Sequence, residues 1–149
     1  MSVYARFKRD PDGFRKLIEL LETTPAMRRQ KMIDVGMAED PVYTEKVLGY
    51  ILTFEDLIHL PDLEMAELVK ASPARMVGYA IAKSPPDVQS RFLKNTTAGG
   101  ADEIQTYVDA SGVGLREIGG AQLKLIEIAR RLEKRSLIKT KRIPLNGDS

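Results

Sequence analysis

The chain has 149 residues and a net charge of +2; 43% of its residues are hydrophobic and 30% are charged, as in ordinary globular domains. It contains no cysteine, which excludes disulfide frameworks and thiolate chemistry. The charge balance is too weak to indicate nucleic-acid binding. No apolar run approaches ~18 residues, and MSVYARFKRD lacks the apolar stretch of a signal peptide. We therefore expect a cytoplasmic protein without a membrane span.

The first third of the chain predicts three short helices. Asp10-Pro11-Asp12 is typical of a helix start, because proline fits the first turn and acidic side chains favour the positive end of a helix. Thr23-Thr24-Pro25 ends this helix and begins the next. Glu39-Asp40-Pro41 begins a third helix, which we expect to run through about Leu52.

The remainder of the chain repeats these signals. Three further helix starts combine proline with Ser or Asp: Pro61-Asp62, Ser72-Pro73 and Ser84-Pro85-Pro86-Asp87. Residues 97–110 predict a helix that two glycines weaken. Gly112 and Gly114 break the chain before the short piece LREI, and Gly119-Gly120 are expected to end that piece and allow close packing. Ala121–Arg135 is the clearest amphipathic helix.

These elements predict an all-α fold, in which an armadillo-like array of short helices is followed by a compact C-terminal helical bundle. Short helices are marginal alone, so they must stack on neighbours. The best candidate for a strand, residues 137–143, is short and terminal. We expect an armadillo-like segment at 1–52, a second such segment at 53–84, the C-terminal bundle at 85–138 and a basic flexible tail at 139–149.

A joint is predicted within GYILTFEDLIHLPD, residues 49–62, where two apolar runs meet. Thr53 has a lower helix propensity than its neighbours, and its hydroxyl can cap the turn that contains Glu55 and Asp56. Two helices joined near residues 52–54 and one continuous helix both fit the pattern; we favour the joint. Replacing Thr53 with Ala is then expected to stiffen the link by raising helix propensity.

No catalytic or metal-binding pattern stands out. His59 is the single histidine, so neither a metal site nor a catalytic triad is expected. The glycines at 112–114 and 119–120 have no Gly-Lys-Ser after them and no strand before them, so they do not predict a phosphate loop. We therefore expect no enzymatic activity, no metal and no cofactor.

Two basic clusters, at residues 28–31 and 134–142, leave two interpretations open. They are either solvated surface or contacts for an acidic partner, lipid headgroups or nucleic acid. No aromatic residues interleave with the second cluster, which argues against single-strand binding by base stacking.

Three ordered segments resemble the flagellar motor switch protein family FliG. Ile51-Leu52-Thr53-Phe54, followed by Glu55-Asp56-Leu57, is similar to the family's Met-Phe-x-Phe hinge between middle and C-terminal domains. Arg91–Asn95 (RFLKN) resembles its Lys/Arg-Phe-Leu/Ile-Arg-Asn segment, and Ile126–Glu133 (IEIARRLE) resembles its final helix. Glu39-Asp40-Pro41 and the helix after it resemble the end of the family's armadillo-like middle domain. The likeness covers about residues 10 to 138.

The resemblance implies a component of the flagellar rotor. Family members stack armadillo-like halves between subunits, forming a ring at the basal body on the cytoplasmic face of the inner membrane. They are peripheral to that membrane and not inserted in it. The hinge reorients the C-terminal bundle when the direction of rotation switches. The expected partners are other copies of the chain, other switch-complex subunits and the stator's cytoplasmic loop, with no nucleic acid. The family's N-terminal domain and the first half of its middle domain have no counterpart here, so we expect a fragment or a short paralogue.

The ridge of charges that the family presents to the stator is altered here. Counted without gaps from the hinge, and with one deletion near Gly112 for the last position, its five charged positions fall on uncharged residues: Ala82, Gly99, Thr106, Tyr107 and Gly114. Nearby charges are candidates for a displaced ridge: Lys83, Lys94, Asp102, Glu103, Asp109 and Arg116. Recognition depends on the arrangement of charges as well as their total. The leading hypothesis, a rotor component, therefore stands beside a divergent paralogue that serves as an adaptor without torque, and beside a general helical-repeat interaction module.

Overall fold

Ten α-helices make up the fold of residues 3–144, the part of the chain that the structure, a computed structural model, describes. No strand occurs within those residues, which confirms the prediction of an all-α protein. The helices are α1 (Val3–Arg9), α2 (Gly13–Glu22), α3 (Ala26–Glu39), α4 (Pro41–Leu48), α5 (Phe54–Ile58), α6 (Asp62–Ala71), α7 (Ala74–Ile81), α8 (Pro86–Leu93), α9 (Ala98–Val108) and α10 (Leu115–Lys134).

Proline begins half of these helices, as the sequence predicts. Pro25, Pro61 and Pro73 lie directly before α3, α6 and α7. Pro41 is the first residue of α4, and the pair Pro85-Pro86 begins α8. The fixed φ of proline suits the first turn of a helix, and its missing N–H removes a donor that has no partner there. The regular spacing of proline therefore sets the short lengths of these helices.

The described chain divides into two compact units. Unit 1 contains the described residues through Leu52 together with those from Lys141 onward, and unit 2 is Thr53–Thr140. The chain therefore passes between the units twice, once after Leu52 and once after Thr140.

Unit 1 is built from α1 to α4 and the segment that begins at Lys141. Helix α2 packs against α1, α3 and α4, and α3 packs against α4. The ring of Phe14 makes edge contacts with the rings of Tyr43 and Tyr50, at centroid distances of 6.0 and 5.6 Å. The buried core consists of Tyr4, Phe14, Leu17, Ile18, Leu21, Val47, Ile51 and Ile143.

Gly36 allows three helices of unit 1 to approach one another. A Cβ atom at this position of α3 would lie 2.4 Å from Cζ of Tyr4 in α1 and 2.6 Å from Oγ1 of Thr44 in α4. The hydroxyl of Tyr4 donates a hydrogen bond to the carbonyl of Met32, one turn earlier in α3, at 2.7 Å. Glycine is thus required at residue 36 for packing and not for its backbone conformation.

Unit 2 is organised around its longest helix, α10, which packs against α5, α6 and α7. Helix α7 also packs closely on α9, and Gly78 makes this possible, since a Cβ there would lie 2.5 Å from Cβ of Tyr107 and 2.8 Å from the carbonyl oxygen of Ile104. The largest fully buried side chains of this unit are Leu57, Leu60, Met65, Leu68, Ile81, Phe92, Leu125 and Ile138.

Two helix boundaries differ from the sequence prediction. Helix α4 ends at Leu48 instead of continuing to about Leu52, because the chain turns at residues 49–50. Helix α10 begins at Leu115 and continues through Gly119 and Gly120, which were expected to interrupt it. A Cβ at either glycine would meet only open space, so no close packing explains them. Burial of the apolar face of α10 outweighs the modest cost of two glycines within a helix.

The predicted segment boundaries differ from the two units in two places. Residues 53–84 and 85–138 lie within one unit, because α7 packs on both α9 and α10. Part of the expected flexible tail packs within unit 1, where Ile143 is 3% exposed. Residues 145–149 of that tail lie outside the described residues.

Candidate hinge and charged surface

The predicted hinge, Ile51 to Phe54, lies at a break between helices α4 and α5. Residues 49–53 are not helical, and Thr53 is the N-cap of α5, with an extended backbone. The Thr53 hydroxyl accepts a hydrogen bond from the N–H of Asp56 at 3.2 Å, and the Asp56 carboxylate accepts the N–H of Thr53 at 2.8 Å. This reciprocal capping box confirms that Thr53 caps the turn containing Asp56.

The cap changes the expectation for Thr53→Ala. The sequence alone predicts that alanine stiffens the joint through its higher helix propensity. In the structure the Thr53 side chain holds the first turn of α5, so its loss removes a hydrogen-bond acceptor from that turn. A lost N-cap costs more than the gain in propensity, and we therefore expect Thr53→Ala to loosen this end of the joint.

The peptide group between Ile51 and Leu52 is held on both of its polar atoms within unit 1. The carboxylate of Glu22 accepts the N–H of Leu52 at 2.7 Å. The ammonium group of Lys141 donates to the carbonyl of Ile51 at 3.0 Å. Hydrogen bonds to charged groups are stronger than those between neutral groups. This part of the predicted hinge is therefore firmly attached to unit 1.

Phe54 belongs to unit 2. Its ring stacks on the ring of Phe92 in α8, with a centroid distance of 5.8 Å and an interplanar angle of 7°. Ile51 is buried in the core of unit 1. The predicted hinge is thus divided between the units: its first two residues, Ile51 and Leu52, belong to unit 1, and its last two, Thr53 and Phe54, belong to unit 2.

Sequence reasoning missed Glu22 and Lys141. Glu22 lies four residues after Ile18, on the apolar face of α2, and only 1% of its surface is exposed. An acidic residue on an apolar stripe was the signal that could have identified a buried acceptor. Lys141 carries no comparable signal, because its contact with Ile51 joins residues 90 positions apart.

The six candidate partner charges all lie on the surface of unit 2. Two cations lie just beyond the ends of α7 and α8, three acids lie in or directly after α9, and one cation lies in the first turn of α10: Lys83, Lys94, Asp102, Glu103, Asp109 and Arg116. None of the six forms an ion pair with another residue of the described chain. They are therefore available to a partner.

Helix α9 brings two of these acids onto one face. Asp102 and Asp109 are seven residues apart, close to two helical turns, which separates them by about 10 Å along the axis. Glu103 lies about a quarter of a turn away from Asp102. The amide of Gln105 donates to the carboxylate of Asp109 at 3.0 Å and orients it. The structure shows no direct contact within the described residues that joins Lys83 or Arg116 to these acids.

Arg91, within the segment RFLKN, ties α8 to the turn between α5 and α6. Its guanidinium donates to the carbonyls of Ile58 and Leu60 and to the carboxylate of Asp62. The hydrogen bond from Arg91 is the largest cause that lowers the pKa of Asp62 below its ordinary value. Arginine suits this position because one planar group reaches three acceptors at once.

His59 and Glu55 form an exposed pair one turn apart, with Nε2 of the imidazole 3.0 Å from the carboxylate. Within residues 3–144, no three His, Cys, Asp or Glu side chains gather as a metal site would require. In the same residues, no helix combines the length and the apolar content needed to cross a membrane.

Comparison with known proteins identifies relatives of this chain. Residues 37–139, more than half of the chain, match the model of the FliG C-terminal domain family. The flagellar motor switch protein FliG of Aquifex aeolicus is 28% identical over 122 residues, which cover 81% of this chain and 37% of that protein. FliG of Helicobacter pylori is 25% identical over 139 residues, covering 90% and 39%. The chain therefore spans less than two fifths of the length of these relatives.

Solved structures of FliG share the fold. A crystal structure of an H. pylori FliG fragment has a TM-score of 0.62 at 24% identity, covering 85% of this chain and 60% of the fragment. The structure of full-length FliG from A. aeolicus has a TM-score of 0.53 at 28% identity, covering 82% and 38%. The family match includes residues on both sides of Leu52 and Thr53. From the extent of this match and the shared helical fold, the chain belongs to the FliG C-terminal domain family.

Proposed function

We propose that this chain is a component of the flagellar switch complex that works by contact between protein surfaces and carries no active site. The observation that carries the proposal is the set of six exposed charges on unit 2, none of which forms an ion pair within the described residues, in a chain of the FliG C-terminal domain family. Its place would be the cytoplasmic face of the inner membrane at the flagellar basal body. Its partners would be further copies of the chain and other switch-complex subunits.

The first contact that we propose is self-association through unit 1. Four large apolar side chains are exposed on α2, α3 and α4: Leu20, Met27, Val35 and Val42. Met27 and Val42 are 82% and 78% exposed. Contact with another copy would remove their apolar surface from water, which favours association. Stacking between copies is the use that agrees with the resemblance to the family.

Sedimentation velocity of the purified chain tests this contact. The double variant Met27→Glu/Val42→Glu is expected to abolish association that the parent shows at the same concentration. Leu63→Glu is the matched control, because Leu63 is 85% exposed but lies in unit 2. A monomeric parent, or equal loss of association in the control, would remove unit 1 as the stacking surface.

The second contact that we propose is with the stator's cytoplasmic loop. It would be made by the charged surface of unit 2, which consists of the six candidate charges: Lys83, Lys94, Asp102, Glu103, Asp109 and Arg116. Long-range attraction depends on where charges lie, and Asp102 in α9 and Asp109 at the C-cap of α9 lie on the same side of that helix. The triple reversal Asp102→Lys/Glu103→Lys/Asp109→Lys is expected to abolish capture of that loop and to stop swimming, while ring binding persists. The triple reversal Asp12→Lys/Asp34→Lys/Glu45→Lys, at exposed positions of unit 1, changes the net charge by the same amount and is the control.

A specific observation favours the second candidate, a divergent paralogue that serves as a structural adaptor without torque. The family's five ridge charges fall here on Ala82, Gly99, Thr106, Tyr107 and Gly114, so the stator would meet a different pattern. Unchanged swimming and retained ring binding after the triple reversal would exclude torque transfer and support the adaptor.

We also propose that the chain bends between Leu52 and Thr53. Two features support this position: residues 49–53 are not helical, and the residues on either side are anchored to different units. Bending there would reorient the charged surface of unit 2 without unfolding a helix. Spin labels at Glu45 and Asp87, one exposed site in each unit, would report a broad or bimodal distance distribution. A single narrow distribution under all conditions would exclude bending.

A further inference from the structure

After α10 the chain first remains attached to unit 2. Ser136 adopts a positive φ of 63°, and the N–H of Leu137 returns to the carbonyl of Leu132 at 2.9 Å, which ends the helix. Ile138 is fully buried. The N–H of Lys139 donates to the carboxylate of Glu64 in α6 at 3.2 Å. The chain is therefore fixed to unit 2 up to this point.

Two residues later the chain is fixed to unit 1. Lys141 has a positive φ of 48°, so the backbone turns again there. Ile143 inserts into the apolar core formed with Phe14, Leu17 and Ile18, and a nitrogen of the Arg15 guanidinium donates to the Ile143 carbonyl at 3.4 Å. The segment 141–143 is thus a short attachment made of one buried side chain and a few polar contacts.

The same segment controls the peptide group next to the proposed bend. The carbonyl of Ile51 and the N–H of Leu52 belong to one peptide group; Lys141 binds its oxygen and Glu22 binds its nitrogen. Because a peptide group is planar, reorientation of this group would move its oxygen and its nitrogen together and break both contacts. Lys141 therefore restrains the backbone immediately before the Leu52–Thr53 boundary.

We propose that the segment Lys141–Ile143 is a latch that restricts bending between Leu52 and Thr53. This inference rests on the bend named in the proposed function. With the latch docked, the units are joined by two chain connections, and the peptide before the bend is held in unit 1. Release of Lys141 and Ile143 leaves one connection, and the peptide before the bend is then held by Glu22 alone. The attachment is small, so exchange between docked and released states needs no unfolding of either unit.

Amide hydrogen exchange on the purified chain tests the latch. Lys141→Met keeps an unbranched apolar stem of similar length and removes the ammonium group. We expect the Leu52 amide to exchange about tenfold faster in this variant, as loss of a charge-assisted hydrogen bond implies. A chain that stops after Thr140 is expected to give at least the same change. Lys139→Met is the matched control, because the Lys139 side chain is exposed and only its backbone N–H makes the contact with Glu64.

Spin labels at Glu45 and Asp87 supply the second readout, and the absence of native cysteine makes their attachment specific. Lys141→Met should broaden the distance distribution, and Lys139→Met should leave it unchanged. An unchanged Leu52 exchange rate in Lys141→Met overturns the proposal, and so does an equal effect of the control. If truncation unfolds unit 1, the Lys141→Met variant alone tests the latch.

The outcomes separate the latch from the proposed function. Both measurements use the purified chain and need no motor. A broad parent distribution that Lys141→Met leaves unchanged would reject the latch and keep the bend. A chain that shows the latch but has no place in the flagellar motor would keep the latch and reject the proposed function.

Discussion

The carboxylate of Glu22 accepts the backbone N–H of Leu52 at 2.7 Å in a site closed to solvent. This contact joins the end of α2 to the segment that leaves unit 1. A buried carboxylate is costly unless its oxygens are satisfied, and a buried N–H is costly without an acceptor. Each group therefore depends on the other, and the pair defines where unit 1 ends.

Replacement of Glu22 should destabilise the chain more when the new side chain has no hydrogen-bond acceptor than when it keeps one. Glu22→Ala leaves the N–H of Leu52 without this partner and should lower the free energy of unfolding by about 2 kcal/mol. Glu22→Gln retains a carbonyl oxygen and should cost less. Urea denaturation followed by circular dichroism measures both, with the exposed Glu45→Gln as control. A change below about 0.5 kcal/mol in Glu22→Ala would contradict the role assigned to this contact.

Thr53→Ala should destabilise the start of α5. The variant loses the hydroxyl that accepts from the N–H of Asp56, and N-cap losses typically cost about 1 kcal/mol. Thr53→Ser keeps an oxygen in the same position and should remain close to the parent. Urea denaturation distinguishes them. Greater stability of Thr53→Ala would show instead that helix propensity dominates at this joint.

Alanine should have opposite effects at two glycines of unit 2. Gly120 lies within α10 with open space beside it, so Gly120→Ala should raise stability by about 0.5–1 kcal/mol. Gly78 faces the backbone of α9, so Gly78→Ala forces α7 and α9 apart and should lower stability by about 1–3 kcal/mol. Thermal denaturation shows whether each substitution raises or lowers the stability of the chain. The same sign at both positions would contradict the packing described for α7 and α9.

Arg91→Lys should not be a conservative change. Lysine keeps the charge but lacks the planar group with which Arg91 reaches Ile58, Leu60 and Asp62. We expect the free energy of unfolding to fall by about 1–2 kcal/mol. Arg75→Lys is the control, since Arg75 lies exposed on α7. Equal stability of Arg91→Lys and the parent would show that charge alone suffices there.

Stability should fall at acidic pH. Hydrogen bonds from Lys16, Lys8 and Arg91 lower the pKa values of Asp10, Asp40 and Asp62, respectively, below their ordinary values. The folded state therefore binds protons less readily than the unfolded state, so this stabilisation is present at neutral pH and is lost as pH falls through the folded pKa values, below about pH 4.

The variant Asp62→Asn isolates one of these contributions. Urea midpoints between pH 7 and pH 3 should decline less steeply in the variant than in the parent, because one titrating carboxylate is gone. Identical slopes would show that the pairing with Arg91 does not contribute to the pH dependence of stability.

Local signals in the sequence predicted the helical class and most helix starts. Proline beside Ser, Thr or Asp is a short-range signal, and the helices that follow Pro25, Pro61 and Pro73 begin where it predicts. The exposed charges of α9 were also identifiable, because exposed positions of a helix follow from its apolar periodicity.

Contacts between distant residues could not be predicted in this way. Ile143 completes a core whose other members lie before residue 52, and no local pattern brings these positions together. The course of α10 through Gly119 and Gly120 was missed for a related reason, since tertiary burial of its apolar face decides the outcome there. The Ile51–Leu52 peptide combines both cases: Glu22 interrupts an apolar stripe and could be identified locally, whereas Lys141 is 90 positions from Ile51 and could not.

We propose that this chain acts within the flagellar switch complex. Quantitative mass spectrometry of flagellar basal bodies, purified with their switch complexes from the cell that makes this protein, tests it most directly. We expect the chain to be recovered with the switch subunits at a constant ratio, and we expect the triple reversal of Asp102, Glu103 and Asp109 to leave this ratio unchanged. Basal bodies with complete switch complexes but without this chain would contradict it.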